Sequence, residues 1–594
     1  MAVMSMMAAL AERAAPIRRG LPAVQRTASA VRQVPVLGRV IDWLRLDFAG
    51  SVVGTFFFCW SLTPSLLPRI WFYQALVTGV TAAAGYAIGS LIGVLVRFIY
   101  RRVRRGHRLS RRTVVTAWTI FGVVGTCSAT WYLFGSARWQ SDLRELMNVD
   151  SPRLIHYVLI LIVSFIIFTA FLALGRLLRG ASRWLGSHLA RWVPIPVAVV
   201  TSALVVAGIA IWSWTGLFYP WMLGVANNAF AAINQETEAG ERPPAITTHA
   251  GGPGSLVTWD SLGRKGREFI SDGPTAEDLE AFSNRPALDP VRTYIGLDSA
   301  ETLAGLASLA IRELERAGGF EREVLVVVTA TGTGWVDEAA ADALEYLYNG
   351  DTAIVSIQYS YLPSWLSFLA DHEQVDIAGQ ELFDAVYERW SRLPEADRPR
   401  LVVYGESFGA VGSVAAFDDL DDLVAKVDGA LWVGSPEWHP LREYVTENRD
   451  PGSHERLPVY RGGETVRFWG GWLEPLNVSD WEPPRVLFLQ HASDPVSFWS
   501  PELIWSQPDW MREPEGPDVL PHLNWYPFVT FWQLTADMAV SALMPEGHAH
   551  NYGGELVDAW LKVVPPDYDW PEERLEELRE MVQSFDLDDE GRLW

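Results

Sequence analysis

Cysteine is almost missing from this chain. Two occur in 594 residues, Cys59 and Cys127, and both lie in apolar runs near the start. Everything after residue 127 is therefore without disulfide or thiol chemistry, and thiol usage leaves the redox compartment open. Lysine is missing from the first part. Residues 1–225 hold 23 arginines, no lysine and 6 acidic residues, a net of +17; the whole chain stands at −23, which leaves −40 for the remainder. Such a division implies two environments, and a domain at −40 is excluded from binding nucleic acid through its backbone phosphates. Charge of either sign is missing from five stretches: Phe48–Pro68, Ile70–Val96, Thr113–Ala137, Leu154–Gly175 and Trp192 to about Leu223. Each reaches the ~20 apolar residues that cross a bilayer as a helix, whereas core helices of a soluble domain would carry charges at helical spacing. With no Asp, Glu, Lys or Arg inside them, an ion or proton path has no obvious carrier, so this part reads as an anchor more than a transporter. A cleavable signal is also lacking, since MAVMSMMAAL is short and is followed by Glu12 and Arg13.

What is present sets the orientation. Arginines crowd the segment before the first stretch, the loop Arg97–Arg112 and the loop from Arg176 to Arg191, while alternate loops hold few or are offset by acids. The N-terminal segment, 1–47, is thus expected in the cytoplasm, the helical region 48–225 in the plasma membrane, and everything after Leu223 outside. Gly85, Gly89 and Gly93 share one face of the second stretch and permit close helix approach, within the chain or, as a lesser alternative, between two copies. Residues 226–254 mix Asn, Glu, Pro and Gly and read as a linker, with Gly251–Gly254 its most flexible point.

From residue 255 the periodicity changes. Glu323–Thr329, Thr352–Gln358, Arg400–Tyr404, Gly429–Val433 and Arg485–Gln490 are apolar strand runs, with helical patterns at Asp337–Leu347 and Val375–Leu393 between them. Strands alternating with helices predict an α/β domain with a mostly parallel sheet, following an all-α membrane bundle.

The strand Leu401–Tyr404 runs into Gly405-Glu406-Ser407-Phe408-Gly409 and then small residues, the layout of a nucleophile elbow. A serine at such an apex is forced into a strained backbone conformation, so its neighbours two positions away must be small, and the helix that follows aims N–H groups at an oxyanion. An acid and a histidine should follow in that order. Asp494, just past the strand Arg485–Gln490, is the candidate acid. Gly547-His548-Ala549-His550 lies in a polar loop before the helix Glu555–Val563, and His548 is preferred over His550 because it follows the glycine directly. The two histidines lack a further metal ligand at suitable spacing nearby, so no metal or cofactor is expected. Thr329–Trp335, with Gly332 and Gly334, leaves an earlier strand; the N–H groups of Gly332 and Phe408 are the candidate oxyanion donors. This loop lacks the Lys-Ser/Thr ending of a nucleotide-binding loop.

TATGTGWVD, QYSYLPSW, YGESFG, QHASDPV and PEGHAHNY, with GSLVTWDSLGRKGREF, resemble the actinobacterial alpha/beta-hydrolase family of membrane-anchored proteins. The resemblance covers nearly the whole chain after about residue 45. It implies an N-terminal multi-helix membrane domain, a serine-hydrolase fold over 255–594 and extracytoplasmic placement, with Ser407 as nucleophile, Asp494 as acid and His548 as base. The pattern departs from the full fold in one place: between Asp494 and His548 no final strand is evident, only a Trp-rich stretch, Trp499–Trp525, and a helix near Phe528–Leu543. Trp469, Trp472, Trp499, Trp505, Trp510 and Trp525 flank the acid and suit either a cover over an apolar acyl chain or plain core packing. The expected activity is hydrolysis of an ester, thioester or lipid acyl group. Acyl transfer to an envelope alcohol, and a non-enzymatic binding or assembly module on the same fold, are the alternatives.

Overall fold

The computed structural model describes residues 46–103, 110–150, 153–478 and 480–590. The arginine-rich segment before residue 46 and the middle of the second arginine-rich loop, 104–109, lie outside the described residues.

The apolar stretches form α1 (Phe48–Ser61), α2 (Trp71–Val103), α3 (Arg111–Leu146), α4 (Leu154–Leu189) and α5 (Ile195–Trp212), the last continuing through one π-helical turn, Ser213–Phe218, into α6 (Tyr219–Asn234). Four candidate spans have the length to cross a bilayer: Trp71–Tyr100, Arg112–Leu146, Leu154–Leu189 and Ile195–Asn234. The first charge-free stretch gives less helix than its length suggests. Pro64 and Pro68 cannot continue the backbone ladder, so α1 stops after 14 residues, about 21 Å.

The chain divides into two compact units. Among the described residues, the first takes those up to Phe56 with those between Ala84 and Cys127. Within it a Cβ on Gly89 would lie 2.8 Å from Val53 Cβ and one on Gly93 would lie 3.0 Å from Ala49 Cβ, so at these positions the glycine face of α2 receives α1 of the same chain.

The second unit, Phe57–Ala83 with Ser128–Trp594, contains the sheet. Its strands are β1 (Val291–Ile295), β2 (Val324–Thr329), β3 (Thr352–Ile357), β4 (Arg400–Glu406), β5 (Gly429–Val433), β6 (Val466–Trp469) and β7 (Arg485–Leu489), in the order β1-β3-β2-β4-β5-β7-β6. Every pairing is parallel. Val, Ile and Leu dominate because both faces are covered. Helices α7 (Leu303–Arg316), α10 (Glu373–Ser391) and α11 (Phe408–Val414) pack together on one face, and α8 (Glu338–Leu347), α13 (Glu555–Val563) and α14 (Glu572–Glu590) on the other. Strands β1 and β6 go beyond the five runs read from sequence. In β1 the fully buried Arg292 pairs with Glu345 at 2.7 Å and with Asp342, so a charged residue occupies a core position.

Residues 235–254 carry no regular helix or strand yet are tied down: Ala250 is buried and its N–H donates to Arg292 O at 2.9 Å. No strand forms between β7 and α13 among the described residues. That stretch holds α12 (Val529–Met538) and short turns, and it packs on the residues that follow α1. Arg69 and Asp537 form a buried ion pair at 3.2 Å, Asp537 Oδ2 also accepts Leu66 N–H at 3.1 Å, and Gln533 Nε2 donates to Thr63 O at 3.1 Å. A second apolar core gathers around them, containing Leu66, Leu67, Leu143 and Met147 together with Ala492, Leu534 and Ala549.

Candidate active site

The turn from β4 into α11 places Ser407 at φ 53°, ψ −126°, a conformation costly for a residue with a side chain. Two glycines make it fit. A Cβ on Gly405 would meet Ala410 Cα at 2.6 Å, and one on Gly409 would run into the Thr329 carbonyl. The Ser407 N–H donates to Val433 O at 2.9 Å, which ties the apex to the end of β5. Phe408 opens α11, so its N–H has no acceptor within the helix.

Asp494 caps the short helix after β7 and is fully buried. Its Oδ1 accepts Val496 N–H at 2.9 Å, and Oδ2 accepts the Tyr552 hydroxyl at 2.7 Å. The same Oδ2 lies 2.8 Å from Nδ1 of His550. The histidine that Asp494 meets is thus His550, and its Nε2 is buried without a hydrogen-bond partner among the described residues. The ring sits over Gly434, the residue after Val433, so it lies beside the strand end that holds Ser407.

His548, preferred on sequence, points elsewhere. Its Nδ1 is 3.7 Å from Asp518 Oδ2, an ion-pair distance too long for a hydrogen bond. The reason is the turn between the histidines. Ala549 adopts φ 53°, its N–H donates to Ser493 Oγ at 2.7 Å, and Ser493 in turn donates to Asp518. This left-handed residue sends the two rings to different partners.

Gly332 also departs from expectation. Its N–H donates to the Tyr359 hydroxyl at 2.9 Å, which commits the proposed oxyanion donor to a protein partner. Beside it Thr331 Oγ1 and Ser364 Oγ share a hydrogen bond of 2.9 Å.

Several groups here had no local signal in the sequence. His491 is fully enclosed. Its Nε2 is 2.6 Å from Glu555 Oε2 and its Nδ1 is 2.9 Å from Ala549 O, while its ring stacks on Tyr552 at 4.3 Å. Burial opposes its charge, but the Glu555 carboxylate prevails and raises the imidazole to about 9. A cationic His491 therefore donates at both nitrogens and holds the carbonyl next to His550. On the other side, Glu406 accepts the Tyr404 hydroxyl at 2.9 Å and is hydrogen-bonded to Asp337, the cap of α8. Burial holds the Asp337 carboxyl above the usual range, and its charged form is in turn favoured by Glu406, by the N–H groups of Ala339 and Ala340 and by nearby His550. The part most visible only in three dimensions is Gly434, whose φ of 53° and missing side chain leave room for the His550 ring.

Comparison with known families adds two matches. A model described as the alpha/beta-hydrolase family N-terminus matches residues 62–274, and one described as the alpha/beta-hydrolase family matches residues 291–578. Comparison with curated proteins and with solved structures gave no match. A parallel sheet with a strained serine between β4 and its helix, and a family match on both sides of residue 280, lead to one conclusion: the chain belongs to the alpha/beta-hydrolase family.

Proposed function

We propose that this is a membrane-anchored serine hydrolase that cleaves a carboxylic ester or thioester through an acyl-enzyme. The observation that carries the reading is the 2.8 Å bond between Asp494 and His550 Nδ1, with Nε2 left without a partner and the ring over Gly434, next to the strand end that binds the Ser407 N–H. His550 Nε2 takes the Ser407 proton as Oγ attacks the carbonyl carbon. The same imidazolium returns that proton to the leaving alcohol or thiol as the carbon–oxygen or carbon–sulfur bond breaks. Water, deprotonated by His550, then attacks the acyl-serine, and the acid product leaves with Ser407 restored. An alcohol in place of water turns hydrolysis into acyl transfer with the same groups. Asp494 keeps Nδ1 protonated, so the free electron pair stays on Nε2. The Phe408 N–H supplies one oxyanion donor. With Gly332 N–H engaged by Tyr359, that site contributes only if the hydroxyl gives way.

The arginine distribution supports an extracytoplasmic hydrolase domain. Protease added to intact spheroplasts should digest beyond residue 234 if that is so; protection there with cleavage in the Arg97–Arg112 loop would reverse the orientation.

The decisive chemical experiment is labelling of membranes with a fluorophosphonate. Ser407 should carry the adduct, and Ser407→Ala should lose it while remaining folded. Undiminished labelling of Ser407→Ala would remove the serine from the mechanism.

A further inference from the structure

Helix α9 (Ser364–Asp371) touches the site on one face and leaves the other open. On the inner side Ser364 bonds Thr331, and Phe368 meets Phe408 edge-on at 5.9 Å, directly after the elbow serine. Phe368 also packs on Trp438 at 5.2 Å, and Trp438 on Trp499 at 5.6 Å, so an aromatic row leads away from Ser407 beneath the helix. On the outer side Trp365 is 65% exposed and Leu369 50% exposed, one helical turn apart on the same face.

Two exposed apolar residues are ordinary on a soluble surface. Their position is what matters here. Tyr219 donates its hydroxyl to the Leu369 carbonyl, so the end of α9 is fastened to the span Ile195–Asn234. That span has 40 residues, about 60 Å of helix, against a hydrocarbon core of about 30 Å. Its most apolar part begins at Ile195, and ~20 residues take it to about Trp214. Beyond this point come Asn227, Asn228 and Asn234, the last accepting a 3.0 Å bond from Gln358, which itself donates to Thr333 O in the glycine loop at 2.7 Å. Trp212, Trp214 and Trp221 all stand outward-exposed around the crossover. Such a belt of tryptophan with tyrosine marks the boundary between headgroups and acyl chains. Tyr219 lies within it, and so does the α9 end that it holds.

We propose that the Trp365–Leu369 face of α9 rests in the headgroup–acyl boundary of the bilayer that holds this chain's own spans. The substrate of Ser407 is then a membrane lipid ester, its acyl chain passing from the leaflet beside α9 and along Phe368, Trp438 and Trp499. The docking stands on exposure and on the fastening to Tyr219; the substrate class rests on the serine-hydrolase reading above. A short helix that turns large apolar residues outward next to a tryptophan belt is suited to lie in an interface rather than across it.

The test uses the full chain in phosphatidylcholine–phosphatidylglycerol vesicles. A spin label is attached at Leu369→Cys, with Cys59→Ala and Cys127→Ala. Collisions with dissolved oxygen should exceed those with an aqueous nickel chelate; nickel-dominated relaxation would overturn the docking. In the same vesicles, turnover of a long-chain diacylglycerol is compared with turnover of water-soluble p-nitrophenyl acetate. In the double variant Trp365→Ser with Leu369→Ser, the ratio of lipid to soluble turnover should fall at least ~10-fold. An unchanged ratio would overturn the lipid route. If the parent chain turns over neither ester while the label reports oxygen, the hydrolase reading fails and the docked helix stands.

Discussion

The imidazole of His550 occupies the space that a side chain on Gly434 would need: a Cβ there would lie 2.5 Å from Nδ1 and 3.0 Å from Asp494 Oδ2. Gly434→Ala should therefore push the ring off its aspartate while removing none of the reacting groups. We expect kcat to fall by roughly 10²–10⁴ with KM little changed, as for a displaced base. Steady-state ester kinetics on a variant with an unaltered melting temperature measures this. Full activity would mean the ring has another productive position.

The two histidines should separate sharply. His550→Ala removes the group on Asp494 and should cost about 10⁴-fold or more in turnover. His548→Ala removes only a loop contact near Asp518, and a loss of ~10–100-fold is expected. The opposite order of losses would show that the loop rearranges when substrate binds.

His491 gives a pH signature. Its folded value, about 9, lies above the ordinary 6.5, so the protonated form is bound more tightly in the folded chain. The stabilisation is complete below about pH 6.5 and is lost as pH rises through 9. Its size is on the order of 2–4 kcal/mol. Thermal melts of the detergent-solubilised chain should fall in temperature between these pH values, and His491→Gln should flatten that part of the profile. Identical profiles would place the proton elsewhere.

Arg69 and Asp537 offer a test of the second core. Either Arg69→Met or Asp537→Leu strands one charge in an apolar interior and should cost about 3–5 kcal/mol. The double variant should recover most of that loss, since neither charge then remains buried alone. Additive losses in a double-mutant cycle, read by melting temperature, would argue that the two side chains act independently.

The elbow was legible because three local demands coincide there: an apolar strand, glycines flanking the serine and small residues in the next helix. Strands β2, β3, β4, β5 and β7 were legible as unbroken apolar runs for the same kind of reason. Strand β1 was hidden by Arg292, whose burial depends on Asp342 and Glu345 some fifty residues away, and β6 by its length of 4 residues. The histidine assignment turned on Ala549, a residue whose left-handed backbone follows from Ser493 and not from its neighbours in sequence. Gly332 had the right type for a close backbone approach, but the hydroxyl that takes its N–H comes from Tyr359. The stretch between β7 and α13, read from sequence as lacking a final strand and bearing a helix near Phe528–Leu543, bears α12, which grips the residues after α1.

That grip has a consequence for synthesis. Arg69 emerges from the ribosome 468 residues ahead of Asp537. At ~5–20 residues per second the interval lasts between about 20 seconds and about a minute and a half. Throughout it the segment joining α1 to α2 holds an arginine with no acid to answer it, and the core around Leu66 and Leu67 lacks Leu534 and Ala549. Insertion of the helices can proceed in order, but the unit that contains the serine cannot close until almost the whole chain has been made. Premature termination anywhere before α12 would leave a product with an open apolar seam, a ready substrate for proteolysis.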